Sequence, residues 1–284
     1  MKQNENNINR IDVDKAWNTL YTRLEKERLL PVEIEEPCVP RRKIPLGWIA
    51  AAAAVFAGII FSAFYFSHIR DQSLFVLQNN ENTGTLVTTL EDGSTVYLAN
   101  HASIAYPAAF AVNQRKVELR GDALFSVTKN EKCPFVIETD KGITVEVVGT
   151  IFAVQSSSGN PFELSVKQGK VNVFSKDNQT TVSVEAGEIV RLSAGKLNKS
   201  KVINSQVFGR FANKMCFKDE KLNHIVQAIN TMYGSPSICV DKSLNSRTLT
   251  VTFENDSVET MTELICLALN LEHVNKQDTI FIRK

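Results

Sequence analysis

The 284-residue sequence has no excess of either charge: 32 Lys and Arg stand against 31 Asp and Glu, a formal net charge of +1. Without a global field, nothing points to nucleic acid or to a strongly anionic partner, and a direct nucleic-acid contact is not expected. Paired metal ligands are missing too. The five cysteines, Cys38, Cys133, Cys216, Cys239 and Cys266, form no CxxC and no Cys/His ligand spacing, which argues against a zinc site. Cys239 and Cys266 would face an oxidising compartment on the membrane reading below, so a bridge between them and a pair of apolar-packed thiols both stay open. Catalytic signatures are absent as well: GxSxG, HExxH and GxxxxGK[ST] do not occur, and His68, His101, His224 and His273 are scattered. An ordinary enzyme, a metal and a cofactor are therefore not expected.

What is present begins with residues 44–67, IPLGWIAAAAAVFAGIIFSAFYFS, a run without a charged side chain. As a helix at about 1.5 Å per residue it reaches roughly 36 Å, enough to span the hydrocarbon core. Pro45 suits a first helical turn, and Trp48 and Tyr65 suit the interfacial belts. Arg41, Arg42 and Lys43 abut its start, whereas no Lys or Arg follows Arg70 until Arg115. That asymmetry orients the N-terminus to the cytoplasm and the rest outward, as a single-pass protein of the inner membrane. A cleaved leader is the rival reading, but more than forty residues precede the run, and its small-residue cluster, Ala50 to Ala54, lies inside the span.

In the tail, residues 1–43, Pro31, Pro37 and Pro40 confine regular structure to a helix over about 11–30. Val13, Trp17, Leu20, Tyr21 and Leu24 share one face of it, with Asp12 or Asp14 placed to cap the start and Lys26 and Arg28 near the end. One helix carrying a Trp and a Tyr has no core of its own. A partner groove would bury them, and the mixed charge of Arg23, Glu25, Lys26, Glu27 and Arg28 fits that better than a lipid surface does.

After a linker at 68–83, residues 84–197 break into short segments of period two, such as TVYLAN and KVELRG, punctuated by turns such as Asp92-Gly93 and Gln168-Gly169. They predict a mainly antiparallel β domain, a sandwich or a roll, each strand with one buried face. A second linker at 198–212 leads to a small α+β domain over 213–284. It reads as two βαβ units: strand MCFK, a helix from about 219 to 233, strands SICVD and TLTVTF, a helix from about 257 to 269, and two short strands. Leu222, Ile225, Val226, Ile229 and Met232 line the first helix, and Val258, Met261, Leu264, Ile265 and Leu267 or Ala268 the second. Ser257 and Thr260 offer capping at the start of the second.

The ordered segments LEDGSTVYLANHASIAYP, RKVELRGDALFSV, PFVIET, VEVVGTIFAV, VKQGKVNVF and VEAGEIVRL resemble the motifs of the FecR family domain across 84–197. Ala99 stands where many members carry Asn, and Asp122 where Glu is usual. The region 213–284 is similar to the C-terminal domain of many membrane-bound FecR proteins, related to small signalling and secretin N-terminal (STN-like) modules whose sheet edges can accept a strand.

The resemblance implies an anti-sigma factor. The tail helix, with Val13, Trp17, Leu20, Tyr21 and Leu24 as anchors, would hold an extracytoplasmic-function sigma factor. The outer modules would receive a signal from the periplasmic signalling domain of an outer-membrane TonB-dependent transducer. Some family members cleave themselves at a Gly-Thr bond, matched here by Gly149 and Thr150, through attack of the Thr hydroxyl on the preceding carbonyl. Against that stands a structural role, with Gly149 as a bend and Thr150 in the sheet. An alternative of another class is a membrane-anchored protein that binds envelope glycan or acts structurally, its tail without a regulatory role.

Overall fold

The computed structural model describes residues 13–27, 58, 60, 74–80, 84–177, 179–201 and 206–284. The chain divides into two compact units, Met1–Arg70 and Asp71–Lys284. In the first, α1 (Val13–Lys26) carries Asp14 in its first turn and Arg23 and Lys26 in its last, each opposing the partial charge of its helix end. The run at 44–67 lies outside the described residues apart from positions 58 and 60, as do Arg41, Arg42 and Lys43. Among the described residues no helix is long and apolar enough to cross a membrane.

The second unit is mainly β. A seven-stranded sheet runs in the order β1 (Leu74–Gln78), β4 (Ser103–Pro107), β5 (Arg115–Arg120), β7 (Phe135–Thr139), β8 (Ile143–Val147), β11 (Lys170–Ser175) and β12 (Thr180–Glu185). A nine-stranded sheet runs β14 (Lys196–Ser200), β13 (Ile189–Ser193), β10 (Glu163–Gln168), β9 (Ile151–Gln155), β6 (Ala123–Ser126), β3 (Thr95–Leu98), β2 (Thr85–Thr89), β15 (Lys214–Lys221) and β17 (Thr248–Glu254). Residues from both sheets, among them Val117 and Leu119 from one and Phe125 and Phe152 from the other, fill a single core, so the β domain is a sandwich. Phe125 and Phe152 stack at 5.4 Å between ring centroids within it. Within these two sheets pairing is antiparallel except β5 with β7 and β2 with β15.

β1 falls inside the stretch expected as linker 68–83, so the sheet begins before residue 84. β5 keeps the expected alternation, with Arg115, Val117 and Leu119 buried and Lys116, Glu118 and Arg120 exposed. The other expected alternation fails: all four residues of β3, TVYL, are buried. Val96 and Leu98 enter the sandwich core, while Tyr97 enters a second core on the sheet's far face. The nine-stranded sheet is an interior layer, so its central strands have no solvent side.

That second core is built by the C-terminal residues. α2 (Gln206–Gly209), which falls within the expected linker 198–212, buries Phe208 there, and Phe211 follows it in. α3 (Leu222–Tyr233) and α4 (Val258–Leu269) pack against the nine-stranded sheet and against a three-stranded sheet of β16 (Ser237–Val240), β19 (Thr279–Arg283) and β18 (Glu272–Lys276). The expected pair of βαβ units is therefore not formed. β15 and β17 extend the large sheet, while the strand after α3, β16, joins the small one, so each helix bridges two sheets instead of crossing over one. α3 starts at Leu222 and not near 219, because β15 runs on through Lys221. On α4 the buried face is Val258, Met261, Thr262, Ile265, Cys266 and Leu269. Leu264, Leu267 and Ala268 are exposed, Leu267 by 82%. Ser257 caps this helix as expected, its Oγ accepting from the Thr260 N–H at 3.2 Å.

Candidate functional site

The five apolar residues of the tail lie on α1 as the spacing predicts, and the described structure leaves them open. Val13 is 67% exposed, Trp17 62%, Leu20 47% and Tyr21 62%, with Leu24 half-buried and no residue of the helix buried. Fully burying side chains of this size is worth about 1.5–3 kcal/mol each, so α1 presents an unsatisfied apolar stripe of the kind a helix-binding groove would cover.

In the second unit the strand register brings several features to one end of the sandwich, here named the proximal end because β1 starts there. Leu74 pairs with Pro107, Arg115 with Phe135, Phe135 with Val147, Ser126 with Ile151, and Ile151 with Gln168. Gly149 and Thr150 therefore lie at the proximal end, in the link that carries the chain from β8 in one sheet to β9 in the other. An open cleft of about 380 Å3 faces them, lined also by Lys129, Gln168 and Gln227.

The surroundings of this bond explain the glycine without backbone strain. Gly149 has no left-handed φ, yet a Cβ on it would stand 2.7 Å from the Lys129 Cα. Gly169 is required twice over: its φ is +90°, and a Cβ there would lie 2.4 Å from the Thr150 Cγ2. Thr150 is 3% exposed, and its carbonyl accepts from the Val127 N–H at 2.9 Å. Its Oγ1 is buried without a hydrogen-bond partner. A buried hydroxyl in that state forfeits its water without replacement, a cost of about 1–3 kcal/mol. Chemically, it is a hydroxyl not engaged elsewhere, three covalent bonds from the nitrogen of the Gly149–Thr150 amide.

Beside this junction sits an arrangement that sequence reading did not single out. Arg115, 3% exposed, reaches the Asp92 carboxylate at 2.6 Å and donates to the carbonyls of Cys133 and Thr128, each at 2.9 Å, with its guanidinium 5.5 Å from the Phe135 ring centroid. Asp92 also accepts from Ser94, at 3.0 Å from its N–H and 2.6 Å from its hydroxyl. The signal lay in the DGS turn and in an Arg at a core position of an otherwise regular alternation. Asp122, in place of the usual Glu, accepts from the N–H groups of Ser156 and Ser157 at 3.0 Å and meets Arg210 at 3.3 Å. Ala99 keeps a backbone bond to the Asp122 carbonyl at 3.0 Å.

Cys239 is an exposed thiol on β16, and Cys266 a buried one on α4 whose pKa burial pushes up; the structure holds no bridge between them. His224 pairs with Glu220 at 2.7 Å, and Glu220 also accepts from the Thr89 N–H. Among the described residues, no three His, Cys, Asp or Glu side chains gather as a metal set.

Two family models match the sequence: FecR protein over residues 80–172 and FecR, C-terminal, over residues 214–282. No curated protein matches it. Among solved structures, a provisionally assigned anti-sigma factor from Parabacteroides distasonis ATCC 8503, determined at 2.50 Å and at 1.65 Å, is 22% identical. In both cases the similarity covers 74% of this chain and 99% of that one, at a TM-score of 0.46.

Proposed function

We propose that this chain, which belongs to the FecR family, is an anti-sigma factor that holds an extracytoplasmic-function sigma factor through α1. The observation that carries the reading is the open face of Val13, Trp17, Leu20 and Tyr21 on a helix that buries none of its own residues. On this reading residues 44–67 cross the inner membrane once, Arg41, Arg42 and Lys43 keep the N-terminus in the cytoplasm, and Asp71–Lys284 stands in the periplasm. There it receives a signal from the signalling domain of an outer-membrane TonB-dependent transducer. The protein turns over no substrate.

One covalent step belongs to the proposal. The Thr150 Oγ1 attacks the Gly149 carbonyl carbon, the Thr150 nitrogen leaves with the hydroxyl proton, and an ester joins the two residues. Water then hydrolyses it, leaving a Gly149 carboxylate and a new N-terminal Thr150. The buried, unpartnered hydroxyl of a residue that lines an open cleft supports this step.

The test is a pull-down against each extracytoplasmic-function sigma factor of the same cell, using full-length protein with Trp17→Ala. Alanine keeps the helix, and loss of an aromatic anchor is worth about 1–3 kcal/mol, so binding should fall roughly five-fold or more. Undiminished binding would overturn the assignment of α1. An alkaline phosphatase fusion after residue 284 tests the orientation, and an inactive fusion would reverse it.

A further inference from the structure

Resting on the membrane-spanning reading of 44–67, we infer that the proximal end of the sandwich is seated on the outer surface of the bilayer the chain has just crossed. Its contacts are the start of β1 and the loop at 108–112.

β1 breaks the pattern of a sheet strand. Where one face is covered, alternate residues are buried. Here Leu74, Phe75 and Val76 are exposed in succession, by 49%, 56% and 67%, so both faces of the strand's first half are open. β1 is also an edge of its sheet. Proteins usually guard edges with charge, as β14 does with the sequence KLNKS, but the start of β1 has none.

The register places a second apolar element beside it. Leu74 pairs with Pro107, and from Pro107 the chain continues as Ala108, Ala109, Phe110, Ala111 and Val112. All of these are exposed except Phe110, which anchors the loop by an edge contact with the Phe135 ring at 6.0 Å. Val112 is 97% exposed. Ringed about this apolar ground, Lys129, Glu131 and Lys132 lie on the exposed loop before β7, with Glu91 on the neighbouring turn. Two are cationic and two anionic, so the surface is held by apolar contact and not by attraction to anionic lipid.

Connectivity selects lipid as the occupant. The apolar run ends at residue 67 and β1 begins at Leu74, and seven steps of fully extended chain cover at most about 25 Å. The end of the sandwich that carries Leu74, Phe75, Val76 and Val112 is the end tied to the membrane. Leaving that area in water would forgo its apolar burial when an interface to receive it is within reach of the tether.

The experiment places p-benzoylphenylalanine at Val112 or at Phe75 in the full chain, expressed in its own membrane. The control carries it at Ser158, exposed in the β9–β10 turn at the opposite end of the sandwich. After irradiation, mass spectrometry should find phospholipid adducts at Val112 and Phe75 several-fold above Ser158, and they should persist in high salt. Val112 is so exposed that its substitution does not tax the fold. Equal adducts at all three positions would overturn the seat, as would crosslinks from Val112 and Phe75 to a second copy or another protein, with the chain still resistant to carbonate washing. Extraction of the chain by carbonate would overturn the membrane span itself, and the seat with it.

Discussion

The phenol of Tyr97 donates a hydrogen bond to the carbonyl of Ala228 at 2.9 Å, 131 residues away, and neither residue has exposed surface. Burial pushes the phenol pKa well above the usual tyrosine range, which favours the protonated donor. The bond ties β3, a central strand of the large sheet, to α3. Tyr97→Phe should cost about 1 kcal/mol by urea denaturation, the net worth of one buried hydrogen bond. Tyr97→Ala should cost about 3–5 kcal/mol, because the ring leaves a cavity in the second core.

Asp71–Lys284 should unfold in one transition. β15 pairs with β2 through Met215, Cys216 and Phe217 against Thr85, Leu86 and Val87, so the FecR domain and the C-terminal residues share a sheet as well as a core. Gly84→Ala should lower that transition as a whole: its φ is +110°, and a Cβ would lie 2.7 Å from the Lys214 carbonyl oxygen. Two separate calorimetric peaks in the wild type would contradict the shared sheet.

Arg115→Met should destabilise the sandwich by about 3–5 kcal/mol, because it leaves Asp92, only 12% exposed, without its cation. Adding Asp92→Asn should recover part of the loss, and the double-mutant cycle measures the coupling. If the two single losses simply added, the pair would be shown to act independently.

Thr150→Val separates a reactive hydroxyl from a structural one. Because Oγ1 is buried without a partner, the isosteric methyl should stabilise the fold by about 1 kcal/mol while abolishing cleavage after Gly149. Thr150→Ser should retain cleavage. Fragments of unchanged size and yield from the Val variant on a denaturing gel would exclude the proposed attack.

Much of this was legible locally. The alternation in KVELR, the Ser257 cap and the apolar face of α1 depend on residues a few positions apart, where spacing fixes geometry. Burial on both faces of TVYL was not legible, since a strand's own pattern cannot say whether a second layer covers its polar side. Tyr97 occupies that side and is buried by α3. Leu264 and Leu267 misled for the matching reason: they are apolar and near the correct face, but α4 is oriented by Thr262, Cys266 and Leu269 against two sheets. The Gly149–Thr150 bond was found through resemblance. Its cleft and its unpartnered hydroxyl came from the crossing of the chain between sheets.

By itself the sequence determined the charge-free run at 44–67, the amphipathic tail helix and the order of the strand motifs, because each is a one-dimensional pattern of polarity. The tertiary structure alone decided that the FecR domain and the C-terminal domain merge through β2 and β15. Main-chain hydrogen bonds between strands are nearly blind to side-chain identity, so a parallel pairing between segments so far apart leaves no mark in either. It likewise decided that the apolar start of β1 and the 108–112 loop meet at one end, through the register of Leu74 with Pro107.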